Sequence, residues 1–200
     1  MKKINKALLA SVLATCICLN TNAQSLPDYS NVIKINPLSL LVGNCTLFYE
    51  RQVSNCVTLQ LGINFMPEAL KTFGTLFTCY GITPEFRIYL SHLSIDVPAG
   101  GYFAPFFRYR CLILSEPIEN ASIPGKYQNI SVQDDQTSVG FVFGYQCISE
   151  KNYTFDFFAG PFSNNNNFHT STGQPVNFDI GQLGNDGIGF RVGIGVGFAF

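Results

Sequence analysis

Charge is scarce in this chain. Only 12% of its 200 residues are Asp, Glu, Lys or Arg, and the 12 basic and 13 acidic residues nearly cancel. A soluble globular protein carries about 25% charged residues, so little here could cover a water-facing surface. No basic patch or stripe exists, which argues against a nucleic-acid partner. No apolar run approaches the roughly 20 residues of a spanning helix, and no amphipathic helix exceeds a turn or two. Histidine occurs only twice, at His92 and His169. The seven cysteines include no Cys-x-x-Cys pair, so zinc and redox motifs are unsupported, and no EF-hand spacing occurs. No cofactor and no metal site are expected.

The two chain ends are more informative. Lys2, Lys3 and Lys6 precede an apolar stretch from Ala7 to Leu19, and Thr21-Asn22-Ala23 offers small residues where a signal peptidase cleaves. Residues 1–23 therefore read as a cleaved signal peptide and residues 24–200 as one barrel domain. A rival lipoprotein reading at Cys16 is weakened by the apolar stretch continuing through Ile17, Cys18 and Leu19. At the other end, Ile188, Phe190, Val192, Ile194, Val196, Phe198 and Phe200 alternate with Gly189, Arg191, Gly193, Gly195, Gly197 and Ala199. A period of two makes a strand with one large apolar face and one small or polar face. Its length matches the roughly 9–11 residues of a tilted membrane strand. The Gly-x-Gly-x-Gly repeat there is no nucleotide fingerprint, because no helix follows it.

Seven further strands are expected, at 31–42, 45–54, 55–66, 77–91, 100–114, 136–149 and 152–161, with Pro37 marking a bulge or a membrane edge. The links near 54–55, 91–99 and 149–152 are short or moderate. The links 67–76, 115–135 and 162–186 are longer and polar, apart from a tight Gly43-Asn44 turn. That alternation belongs to membrane barrels, and the predicted fold class is all-β, an eight-stranded antiparallel transmembrane β-barrel. A soluble lipocalin-like ligand-binding barrel is the alternative, with the apolar face turned inward. It fits poorly, because the face opposite the aromatics is too small and glycine-rich to serve as a wet exterior.

The closing strand with its terminal Phe resembles the C-terminal signature of bacterial outer-membrane barrels. The resemblance implies that Phe190, Val192, Ile194, Val196, Phe198 and Phe200 form an assembly signal read by the barrel assembly machinery. Other residues carry a wider resemblance: Ile33 to Leu38, Tyr49-Glu50-Arg51, Pro84 to Leu90, Gly101-Tyr102-Phe103, Phe107-Arg108-Tyr109 and Gly144-Tyr145-Gln146. With the closing strand, they resemble a family of small uncharacterised Gram-negative outer-membrane barrels catalogued as a domain of unknown function, similar in architecture to OmpA and OmpX. This implies export to the outer membrane and contact with its lipids. It leaves activity open.

Alternation turns Lys34, Glu50, Glu85, Arg87, Arg108, Arg110, Asp156 and Arg191 toward the lumen. An Arg or Lys facing lipid would cost roughly 2–4 kcal/mol at the midplane. The set reads as a buried charge network plugging a narrow barrel, or as an ion-selective lumen or anion site. The expected role is non-enzymatic, structural or surface-interacting through external loops that meet an unknown ligand. A narrow small-solute channel is one alternative. Another is an outer-membrane enzyme acting on lipid A or peptides through His169, near Ser171 and Asp179; His92 falls in a predicted periplasmic turn, on the wrong side. No catalytic residue is assigned. The acidic stretch with Glu116, Glu119, Asp134 and Asp135 could attract a divalent cation, and the loop containing Asn164 to Asn167 could meet a host glycan or protein. Five cysteines follow the signal: Cys45, Cys56, Cys79, Cys111 and Cys147. Cys45 and Cys56 flank one strand, too far apart to bridge, while Cys111 and Cys147 fall on the lipid face.

Overall fold

The computed structural model describes residues 30–41, 43–72, 75–90, 98–119, 127–170 and 187–200. Eight strands close into one antiparallel barrel in chain order, each hydrogen-bonded to its sequence neighbours, with β1 meeting β8. They are β1 (Asn31–Ile35), β2 (Cys45–Ser54), β3 (Val57–Thr72), β4 (Thr75–Tyr89), β5 (Gly100–Glu119), β6 (Tyr127–Ile148), β7 (Tyr153–Thr170) and β8 (Gly187–Ala199). Both termini of the barrel lie at one end, where Asn31 and Phe200 exchange backbone hydrogen bonds. We call this the terminal end, and its opposite the loop end.

Alternation decides which side of the wall each residue occupies. Ile33, Tyr49, Ile63, Phe86, Phe143, Phe157 and Phe198 are exposed on the outer face, whereas Lys34, Glu50, Gln60, Arg87, Gln146 and Asp156 are buried inside. The soluble-barrel alternative required the reverse. Closing the sheet removes the edges that β1 and β8 would otherwise expose.

The first strand ends sooner than expected. Residues 37–41 form a short helix, α1 (Pro37–Leu41). Asn36 caps it: its Oδ1 accepts from the backbone N–H of Leu38 and Ser39 at 3.0 and 3.3 Å. Pro37 has no N–H to lose and its fixed φ suits the first helical position. An Asn-Pro pair is thus a helix start rather than a bulge. Gly43 ends the unit with a positive φ of 73°, as a helix C-terminus commonly requires.

At the loop end the strands outrun the alternating apolar pattern. β6 begins at Tyr127 and β7 continues to Thr170, so much of the expected loops at 115–135 and 162–186 is strand. The ladder explains it. Leu114 pairs with Val132, Asp134 with Phe168 and Ser138 with Asn164, so backbone hydrogen bonding continues where outward residues have become polar. β5, β6 and β7 together form a tall three-stranded wall. Likewise β3 and β4 extend to Thr72 and Thr75, turning much of the expected 67–76 link into hairpin.

Candidate functional site

The lumen divides into two halves. Toward the terminal end, the cations of Lys34 and Arg87 meet three carboxylates. Lys34 Nζ donates to Glu50 Oε2 at 2.6 Å, to Asp156 Oδ2 at 3.0 Å and to Gln146 Oε1 at 2.5 Å. Arg87 Nη1 reaches Asp156 Oδ2 at 2.9 Å and Glu50 Oε2 at 3.3 Å, while its Nη2 reaches Glu85 Oε2 at 3.1 Å. The remaining carboxylate oxygens are also engaged. Tyr89 and Thr58 donate to Glu50 Oε1 at 2.7 and 2.6 Å, and Tyr102 donates to Asp156 Oδ1 at 2.7 Å. Arg191 Nη2 joins Glu85 Oε1 at 2.7 Å. Three cations and three carboxylates therefore balance, and all but Arg191 are fully shut off from solvent. Charge burial is tolerable only when pairing and hydrogen bonding are this complete. Gln146 Nε2 also donates to the backbone carbonyl of Pro98, which ties the buried end of the β4–β5 connection onto the network.

Above this network lies an inward layer of rings and small residues: Phe48, Phe106, Phe158, Ala104 and Val142. The simple expectation that aromatics face outward misses Tyr89, Tyr102, Phe48, Phe106 and Phe158, all buried inside. The glycines of β8 explain how they fit. A Cβ at Gly193 would collide with the ring of Phe158, and one at Gly189 with the ring of Phe162. The small face of the closing strand is thus a set of recesses for neighbouring rings. Arg191 passes between Phe106 and Phe158, with its Cζ 4.7 Å from each ring centroid.

Toward the loop end the lumen opens into a cavity of about 150 Å³. Its lining includes Ser39, Asn44, Thr46, Arg108, Arg110 and Arg191. Arg108 stacks over Phe162 at 4.4 Å and donates from Nη2 to Ser138 Oγ at 3.3 Å. Arg110 donates from Nη2 to Gln136 Oε1 at 2.7 Å, and Gln136 in turn donates to Asp134 Oδ2 at 2.6 Å. Among the described residues, no carboxylate lies within 4.0 Å of Arg108 or Arg110.

Other sequence candidates take definite places. Phe190, Val192, Phe198 and Phe200 are exposed on the outer face, with Ile194 and Val196 half-buried between them. Asp134 and Asp135 do not share a site, because adjacent strand residues face opposite ways: Asp134 is buried inside and Asp135 lies on the outer face. The side chains of Glu116 and Glu119 fall outside the described residues. No group of His, Cys, Asp or Glu suited to a metal ion occurs among the described residues. The Asn run is strand rather than loop: Asn164 and Asn166 point inward and hydrogen-bond to each other, while Asn165 and Asn167 are exposed. His169 lies 3.8 Å from Asp135 on the outer wall; Ser171, Asp179 and His92 lie outside the described residues. All five cysteines from Cys45 to Cys147 are free. Cys147 is exposed on the outer face, but Cys111 is fully buried. It pairs across the sheet with the outward-facing Tyr80 and Asp135, so it lies on the outer side of the wall as expected, covered there by its neighbours.

A closed eight-stranded barrel with charges inside and apolar side chains outside defines the class of protein. The particular family follows from sequence: residues 9–166 match the family described as "Protein of unknown function (DUF3575)", and the chain belongs to it. Two solved structures are similar, both from Acinetobacter baumannii. CarO is 13% identical, with 88% of this chain and 100% of CarO covered at a TM-score of 0.39. CarO2 is 16% identical, with 89% and 100% covered at a TM-score of 0.41. No curated protein matches the chain.

Proposed function

We propose that this chain is a non-enzymatic, non-conducting outer-membrane barrel. It is exported by removal of residues 1–23 and meets its surroundings through its loop end. The observation that carries the reading is the charge network of Lys34, Glu50, Glu85, Arg87 and Asp156, whose paired and buried side chains fill the terminal half of the lumen. Eight strands enclose an interior just wide enough for side chains to fill, as in OmpA- and OmpX-like barrels.

The membrane position rests on the outer face. From Ile188 to Phe200, β8 and its final residue turn a large apolar side chain outward at every second position. Twelve rises of about 3.3 Å give about 40 Å of strand, or about 30 Å of height at a tilt near 40°. That spans the hydrocarbon layer, so lipids are the partner of this face. Phe198 and Phe200, exposed beside the seam, are available to the barrel assembly machinery. On β6 and β7 the belt stops between Val139 and Thr137 and between Pro161 and Ser163, and the wall beyond it carries Asp135, Asn165, Asn167 and His169 outward. A wall with a polar outer surface suits an aqueous exterior and a surface contact there.

Planar-bilayer recording of the folded protein tests the closed lumen. A flat trace is expected, and discrete steps of conductance would replace this reading with the channel. A folded band that shifts on boiling in a cold SDS gel is the accompanying check of the barrel.

A further inference from the structure

The two halves of the lumen are not equally satisfied. Three guanidinium groups line the loop-end cavity, and each keeps an N–H with no acceptor: Nε of Arg108, Nε of Arg110 and Nη1 of Arg191. Arg108 is only 9% exposed. Its contacts are a ring face and one hydroxyl, neither of which neutralises a charge. The carboxylates of the terminal half are committed to Lys34, Arg87 and Arg191. Asp134 reaches Arg110 through Gln136, so the cation left over among the described residues is Arg108. A buried, unpaired charge costs several kcal/mol. Guanidinium forks match the geometry of carboxylates and phosphates.

We propose that the loop-end cavity binds one small oxyanion group, a phosphate or a carboxylate, gripped by Arg108 together with Arg110 and Arg191. The remaining lining suits that ligand, since Asn44 and Thr46 offer neutral donors around the cations. The volume suits it too: about 150 Å³ exceeds the roughly 30 Å³ that a water occupies in the liquid, leaving room for several non-hydrogen atoms.

The cavity also has a side approach. β8 pairs with β7 from Gly187 to Phe198 but with β1 only over Val196–Ala199. Above that point β1 has given way to α1, whose Leu38, Leu40 and Leu41 are exposed. Asn36 and the outward-facing Val192 both reach the cavity lining. An oxyanion can therefore arrive free through the loop end, or as the headgroup of an amphiphile lying against this seam.

Titration calorimetry on the folded protein in a neutral detergent separates these cases, with inorganic phosphate and dodecyl phosphate as probes at constant ionic strength. Saturable binding of one phosphate group per chain is expected. Arg108→Gln should weaken it about tenfold or more, consistent with the loss of charge-assisted hydrogen bonds. Arg108→Lys should recover part of the affinity, and Arg51→Gln, which alters an exposed arginine on the outer face, should leave it unchanged. If Arg108→Gln lacks the folded band in a cold gel, Arg110→Gln is held to the same criterion. Absence of saturable binding by either probe overturns the proposal, as does equal weakening by Arg51→Gln. Dodecyl phosphate binding tenfold or more tighter than inorganic phosphate assigns the site to a headgroup; comparable affinities assign it to the free ion.

Discussion

The terminal and loop-end halves of the lumen use the same side-chain chemistry and solve it differently. Arg87 sits among Glu50, Glu85 and Asp156, each within 3.3 Å, and its ring partner Tyr102 adds a face at 4.3 Å. Arg108, also enclosed by strands, has among the described residues a ring and a hydroxyl but no carboxylate. The difference teaches that a buried cation's role is read from what surrounds it, not from its residue type. A neutralised cation is mortar, whereas an unneutralised one is a demand for a partner.

The contrast is broken most severely by Arg87→Met. Three carboxylates would lose their shared cation, and a loss of about 3–5 kcal/mol is expected, measured as a lower urea midpoint for the cold-gel band shift. Gly193→Val tests the recess that seats Phe158. Overpacking there should cost about 1–3 kcal/mol by the same assay, and Phe158→Ala in the same chain should restore part of it. Arg108→Met should run the other way from Arg87→Met. Replacing an unpaired buried cation with an apolar chain of similar reach should leave the midpoint unchanged or raised by about 1 kcal/mol. A loss as large as that of Arg87→Met would erase the distinction between the halves. Asn165→Ala, on the exposed side of the wall, should stay within about 0.5 kcal/mol.

Much of the fold was legible because a membrane barrel writes its two phases in alternate residues. β2 runs from Cys45 to Ser54 as the alternation has it, and β8 starts at Gly187. The misses share one cause, which is that residue type is a poor guide once hydrogen bonding to a neighbouring strand decides the conformation. The polar stretch Asn164–Asn167 extends because β6 lies alongside it, and a polar strand in water carries no apolar period. Asn36-Pro37 is the opposite case: it carries a local signal for a helix cap, which the apolar run around it disguises as a bulge or a membrane edge. In the lumen, alternation gives each charge a side of the wall. It cannot say that Arg87 would take three acidic partners and Arg108 none, because those partners come from strands far away in the chain. Period two does put Phe158 on the same side as Asp156, but it does not reveal that Gly193 leaves the recess in which that ring sits.

The seam between β1 and β8 carries a kinetic consequence. Its pairs, such as Val32 with Ala199, join the most distant parts of the barrel chain, and only Asn31–Ile35 take part on the β1 side. Closing so long a loop for so few hydrogen bonds is the slowest and least rewarded step in building the cylinder. The order of events follows: hairpins curl first into an open trough, and the ends meet last. The same seam is where the finished cylinder parts first under strain, so amide protons at Ile33 and Ile35 should exchange ahead of those along β5 and β6.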